Sequence, residues 1–441
     1  MTKEKFDTLR IHGGYNPADH NYAASVPIYQ NAAFALGSAE RGEAVAAGTL
    51  PDSYSYSRVA NPTVDVFEKR IAELHDAVGA VAVGSGMAAI SYIILNVAEN
   101  NGRNIAPKNF AGATLDEFQT LFPKFDIECD FVDNINDLDN VKATIKPDTK
   151  AIYVESVSNP TTEISDIEGL AKVAHQAGIP LIVDNTFSTP YLFNPIKFGA
   201  DIVVYSSTKG INGHGNVIAG LVVDGGHFNW ANGKFPQLDE NEFTIKSKEF
   251  PTDYSFNNVF GKKAFIERIR LKYLRLFGAV LSPFDAYLEL IGLETISERI
   301  SKEVATATKI AKFLKKNPHV KRVYYSGLPG DAQEDLAKKY YPKGIGTVVS
   351  FDLDGDLANV RKLLNSVKVF LYLPNVGDSR SLIVNPVKVT HREVAPDKRK
   401  ANHLTNQLIR LSIGLEDSDD LISDLGQAIE SAFKLKISVD N

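Results

Sequence analysis

Cysteine is nearly missing from this chain of 441 residues, with Cys129 its sole representative. One thiol cannot close an intrachain bridge, so a disulfide-stapled scaffold is excluded and the usage fits a reducing cytoplasm. A surplus of basic charge is absent as well: 48 Lys and Arg face 54 Asp and Glu, for a net charge of −6. No overall electrostatic footprint for nucleic acid or an anionic membrane follows from that balance. The basic cluster Lys262 to Lys272 alternates with apolar residues and reads as a solvated helix face. The segment Met1 to Arg10 has no apolar core, so no secretory signal is visible. Nor is there a clean membrane span. Ala77 to Ala98 is free of charge and near the roughly 20 residues a span requires, but Gly84-Ser85-Gly86 divides it into a Val-rich half and a helix-like half. A buried strand, a tight turn and a buried helix are expected there. No internal repeat or low-complexity segment is seen.

What is present describes an ordinary globular protein with a large core, 44% hydrophobic and 23% charged. Residues 1–60 are rich in Ala, Tyr, Asn and Gly without clean periodicity and read as an N-terminal arm. Asn61-Pro62-Thr63 then opens a helix with Val64, Phe67, Ile71 and Leu74 on one face. From there apolar runs alternate with helical stretches: Val78 to Val83, Asp126 to Asp133, Ala151 to Glu155, Leu181 to Asp184, Ile202 to Tyr205 and Val217 to Asp224. The alternation predicts an α/β domain over 61–281, a mainly parallel sheet with helices on both faces. Gly225 to Tyr254 is irregular and reads as a surface excursion. Ser282-Pro283 marks the passage into a smaller α+β unit, 282–441, with a helix over 297–316, strands near 319–325, 346–352 and 409–413, and a closing helix over 418–433.

The chemistry centres on Ser206-Ser207-Thr208-Lys209. It follows a buried strand, and in an open α/β sheet ligands sit at the carboxyl ends of strands. A lysine there can form an imine with an aldehyde, and the hydroxyls of Ser206 and Thr208 can hold a phosphate. Pyridoxal 5'-phosphate offers both groups. Its pyridine nitrogen needs a carboxylate, which Asp184 supplies at the end of the preceding run. A plain surface lysine after a strand is the alternative when Lys209 is taken alone.

At these residues the chain resembles the pyridoxal-phosphate enzymes of cysteine and methionine metabolism, and within them the O-acetylhomoserine sulfhydrylases, from Arg10-Ile11-His12-Gly13-Gly14 to Leu415-Glu416-Asp417. The resemblance implies an aminotransferase-type fold (fold type I) with a large domain and a smaller C-terminal one. The turn Gly84-Ser85-Gly86-Met87 suits a phosphate by its exposed amides and helix dipole, or is simply close-packed; the family places Ser85, Gly86 and Met87 against the cofactor phosphate. Tyr56-Ser57-Arg58 matches a Tyr-x-Arg that serves the neighbouring subunit's cofactor, which implies a homo-oligomer, a tetramer built from dimers. Phe110 stands where relatives carry a tyrosine; it keeps a stacking surface and lacks the hydroxyl. Asn159 corresponds to an asparagine that donates to the pyridoxal ring oxygen, with a turn-forming Asn-Pro as the alternative. Arg410, a charge inside a strand, needs a partner. The Arg410-Leu411-Ser412-Ile413-Gly414 motif implies a substrate carboxylate, a structural salt bridge being the other choice. Ser381 is matched to a family serine beside the lysine and the carboxylate. Asn385-Pro386 and Lys388 depart from the usual His-Pro and small residue. His214 has no metal-ligand spacing around it and reads as structural.

The implied activity is that of a transferase: γ-replacement on O-acetyl-L-homoserine by sulfide or a small thiol, giving homocysteine or a thioether such as methionine, and acetate, with Lys209 as base and Asp184 supporting the ring. A cystathionine γ-synthase or γ-lyase is the enzyme alternative. A protein that binds the cofactor without turnover is the alternative outside catalysis.

Overall fold

The computed structural model describes residues 4–50, 53–99, 101–109, 112–392, 399 and 403–434. Seven strands form the larger sheet: β1 (Gly79–Val83), β2 (Arg103–Pro107), β3 (Glu128–Val132), β4 (Thr149–Glu155), β5 (Leu181–Asp184), β6 (Ile202–Tyr205) and β7 (Gly220–Asp224). Their order is β1-β7-β6-β5-β4-β2-β3, parallel from β6 through β3, with β7 running antiparallel to both β1 and β6. Continuous apolar runs fit this sheet because both of its faces are buried. Alternate residues of one strand enter two different cores. Leu181, Val183, Val203 and Tyr205 pack with helices Pro62–His75 and Ile167–Gln176 on one face. Ile182, Ile202 and Val204 pack on the other with helix Gly86–Ala98 and with Phe256, Phe265 and Ile269.

The second sheet has the order β10-β11-β12-β9-β8, from β8 (Val320–Tyr324), β9 (Val348–Leu353), β10 (Leu371–Tyr372), β11 (Leu382–Val384) and β12 (Leu408–Ser412). Only β10 and β11 pair in parallel; the remaining pairs are antiparallel. Helices Ile296–Lys316 and Ser418–Phe433 cover it.

Several expectations need revision. β2 was not expected, because Arg103, Asn104 and Pro107 leave only Ile105 and Ala106 as an apolar centre. The stretch from Gly225 to Tyr254 is not all surface: Trp230, Phe235 and Leu238 are buried, and Trp230 stacks on Phe265 at 4.6 Å between ring centroids. Nor is the cluster Lys262 to Lys272 a purely solvated face. Arg268 is buried against Glu99 at 2.7 Å, and Arg270 pairs with the buried Glu68 at 2.5 Å. Helix Pro283–Glu294, placed by the sequence in the smaller unit, packs on helix Pro62–His75 of the larger one. Among the described residues no helix is long and apolar enough to cross a membrane.

Candidate active site

Parallel strands β4, β5 and β6 end side by side, with Glu155 opposite Asp184 and Asp184 opposite Val204. A cleft of about 400 Å³ opens at that edge, lined by Ser85, Gly86, Met87, Glu155, Asn159, Asp184, Ser206, Thr208, Lys209 and Arg410, among others. The position is the one that strand direction dictates for ligands in such sheets.

Lys209 lies on a single helical turn after β6, closed by Asn212 N donating to Ser207 O at 3.0 Å and Gly213 N donating to Lys209 O at 2.8 Å. Its Nζ donates to Asn375 Oδ1 at 2.5 Å. Burial, reinforced by the nearby Arg410 charge, brings its pKa down to about 8. An amine in that range is a usable nucleophile and base near neutral pH, which a solvated lysine is not.

Opposite the lysine, Ser85 caps helix Gly86–Ala98 by accepting from Ala88 N at 3.1 Å. The helix starts against the lysine strand with no room to spare. A Cβ on Gly86 would fall 2.7 Å from Ser206 Cβ, and one on Gly220 would fall 2.2 Å from Ser85 O. Both glycines therefore let the helix N-terminus approach the Ser206 hydroxyl, and the first-turn amides of a helix suit an anion. Thr208 lines the same wall, its hydroxyl accepting from Ala219 N at 2.8 Å.

Asp184 is fixed by Thr186 N at 2.9 Å and by the buried Tyr153 hydroxyl at 3.3 Å. Burial raises its pKa, against the lowering effect of these hydrogen bonds. A cationic ring N–H placed against it would supply the missing counter-charge. Arg410 is buried too, and burial lowers its pKa to about 10. Its Nη1 donates to Asn159 Oδ1 at 3.0 Å and its Nη2 to Asn375 O at 3.1 Å, with no carboxylate in ion-pair range among the described residues. A buried guanidinium without an anion is a site prepared for one. Amine, anion-binding helix terminus, buried acid and free guanidinium thus form a donor set that fits pyridoxal phosphate and an amino-acid carboxylate together.

Not every expected residue is here. Ser381 does not line the cleft: its hydroxyl donates to Glu416 at 2.7 Å and accepts from Gly414 N at 2.9 Å, tying two loops together. The residue from that part of the chain that meets both lysine and arginine is Asn375, which sequence reasoning missed. Its signal was the Pro374-Asn375-Val376-Gly377 turn, six residues upstream. Tyr56 is 46% exposed, Arg58 lies over its ring at 5.3 Å, and neither lines this cleft. Phe110 lies outside the described residues. Lys388 is exposed and away from the cleft, while Asn385 caps its short turn by accepting from Lys388 N at 3.0 Å. His214 is exposed, with Nδ1 at 2.7 Å from Asn212 O.

Comparison with known proteins places this geometry. Residues 7–430 match the family described as Cys/Met metabolism PLP-dependent enzyme. The chain is 39% identical over 433 residues to a sulfhydrylase of Gibberella moniliformis, covering 98% of each chain. It is 36% identical over 430 residues to the O-acetyl-L-homoserine sulfhydrylase of Leptospira meyeri, covering 97% of each. Among solved structures, a putative O-acetylhomoserine (thiol)-lyase of Campylobacter jejuni, which carries a pyridoxyl-lysine phosphate, superposes with a TM-score of 0.92 at 35% identity, over 97% of this chain and 100% of that one. The chain belongs to the pyridoxal-phosphate-dependent enzymes of cysteine and methionine metabolism.

Proposed function

We propose that this enzyme replaces the γ-substituent of O-acetyl-L-homoserine with sulfide or a small thiol, releasing acetate and forming homocysteine or the corresponding thioether. The observation that carries the reading is the contact of the Lys209 amine with Asn375, beside a buried Arg410 that lacks an anion. The names of the sulfhydrylase relatives support the leaving group and the acceptor.

Pyridoxal phosphate, when bound, supplies an electron sink for charge developing on the substrate. The chain's residues do the rest. Arg410 takes the substrate carboxylate, its plane fixed by Asn159 and the Asn375 carbonyl. That anchoring sets the α-hydrogen toward Lys209, and the ε-nitrogen removes it. Asn375 Oδ1 gives the amine a place to rest when it is free, so that it stays within reach of both α- and β-hydrogens. Asp184 keeps a proton on the ring nitrogen. Ile90, Val157, Phe187 and Val376 line the cleft and exclude water from the γ-carbon, which favours a thiolate over hydrolysis. Tyr56 and Arg58, exposed and outside their own cleft, are proposed to complete the partner's phosphate site in a dimer, two of which form a tetramer.

Incubation of the holoenzyme with O-acetyl-L-homoserine and sulfide tests this reading. Homocysteine and acetate should appear in equal amounts, Lys209→Ala should abolish both, and Arg410→Lys should raise KM by about 10²-fold, the loss of a bidentate carboxylate contact. Ammonia and a 2-oxo acid as the main products would sink it.

A further inference from the structure

The turn that carries Lys209 is too short to satisfy its own backbone. After Asn212 N and Gly213 N have bonded to Ser207 and Lys209, the carbonyls of Gly210 and Ile211 point away from the turn, as the last carbonyls of any helical segment do. One side chain takes both. Arg299, on helix Ile296–Lys316 and 5% exposed, donates Nη1 to Gly210 O at 3.1 Å and Nη2 to Gly210 O at 3.1 Å and Ile211 O at 3.0 Å. The same Nη2 reaches Gly292 O at 2.7 Å, and Nε reaches Thr295 Oγ1 at 3.3 Å. None of these five bonds goes to a carboxylate.

The charges around the guanidinium explain why it is left to the backbone. Glu289 and Glu303 are buried beside it, at 0% and 1% exposure, and burial pushes both up to about 8. Glu289 faces Ser207 and Asp285, Glu303 faces Asp378 and Glu416, and Glu298 adds a weaker attraction for Arg299. Burial favours the neutral form of both acids, which weakens their pull on the guanidinium. Packing closes the other sides. A Cβ on Gly213 would lie 1.9 Å from Arg299 Nη1, one on Gly292 would lie 2.3 Å from Asn212 O, and one on Gly377 would lie 2.6 Å from Gly210 N. The turn is thus gripped between Arg299 and the Gly292 backbone on one side and the Asn375-bearing loop on the other.

We propose that Arg299 is a positioning residue for Lys209, fixing where the ε-nitrogen sits relative to Asn375 and Arg410 by holding the two carbonyls that follow the lysine. The inference rests on Lys209 being the cofactor-bearing lysine. It adds a residue that touches neither substrate nor cofactor.

The test uses Arg299→Met, Arg299→Lys and Gly292→Ala holoenzymes; the last pushes on the turn through a new Cβ against Asn212 O and Ile211 O, with the guanidinium intact. Three quantities are read: the pH midpoint of the visible cofactor chromophore, kcat and KM for O-acetyl-L-homoserine, and the thermal midpoint. Because the proton affinity of the lysine nitrogen depends on its distance from Arg410, Arg299→Met and Gly292→Ala should move the chromophore midpoint by about one pH unit. They should lower kcat by about 10²-fold with KM changed less than about threefold. Arg299→Lys, which can still reach one carbonyl, should fall between. Arg70→Met removes another buried arginine, one that donates to Gly13 O, Arg10 O and Glu294 and not to the turn; it should lower the thermal midpoint and leave the chromophore midpoint alone. An unmoved chromophore midpoint in folded Arg299→Lys and Gly292→Ala would overturn the proposal. Borohydride labelling of the wild-type protein at a lysine other than Lys209 would instead remove the reading it rests on.

Discussion

Lys209 owes its chemistry to two neighbours that act in the same direction. Burial disfavours the ammonium and Arg410 repels it, so the amine titrates at about 8 rather than near the 10.5 of a free side chain. The consequence is measurable before any turnover. Only the neutral amine attacks an aldehyde, so the rate at which the apo-protein takes up pyridoxal phosphate should rise with pH and level off just above 8. A rise continuing toward 10.5 would mean that the side chain is solvated. Legibility at this scale was uneven. Lys209, Asp184 and Arg410 could be found because each is a charge at the end of, or inside, an apolar strand, where an unpaired charge demands a reason. Asn375 could not, because an uncharged residue in a Pro-Asn-Val-Gly turn looks like turn chemistry. Ser381 was misplaced for a related reason: a serine before an apolar run carries no mark of direction, and this one turns to Glu416.

At the scale of elements, the contact between helix Gly86–Ala98 and the lysine strand is where local preference and function part. Alanine favours a helix over glycine by up to about 1 kcal/mol. Gly86→Ala, however, would place its Cβ 2.9 Å from Ser206 Cα. Stability should fall by about 1–3 kcal/mol, overpacking outweighing the helix preference, while affinity for pyridoxal phosphate falls by about tenfold or more as the helix terminus is pushed from the Ser206 hydroxyl. Denaturant melts of the apo-protein and cofactor titration separate the two effects, and equal affinity in the variant would mean the helix terminus does not bind the phosphate. Strands with uninterrupted Val and Ile runs, such as β6, were readable because a sheet buried on both faces demands them. β2 was hidden by its charged and proline ends. The core role of Trp230 and Phe235 was hidden because aromatic residues in an aperiodic stretch say nothing of which surface they meet.

For the whole molecule, Tyr56 and Arg58 carry the question of assembly. They do not line their own chain's cleft, and a neighbouring subunit's cofactor is the site proposed for them. If that is right, Lys209→Ala and Arg58→Ala subunits, each inactive alone, should regain activity when refolded together. A hybrid dimer pairs both lesions in one site and leaves the other intact, giving up to about half of wild-type activity per hybrid. No recovery would confine each site to one chain. Domain arrangement was less legible than strand order. Helix Pro283–Glu294 follows a Ser-Pro break that looks like a boundary, yet it packs on helix Pro62–His75, and its Leu290 and Leu293 lie in a core cluster that runs through both units.

The identity of the acceptor is decided by kcat/KM for sulfide, methanethiol and cysteine, each supplied with O-acetyl-L-homoserine at the same holoenzyme concentration. Sulfide or methanethiol should lead cysteine by at least about tenfold, a difference of about 1.4 kcal/mol in transition-state binding. Cysteine ahead of both would contradict it and make the enzyme a cystathionine-forming one.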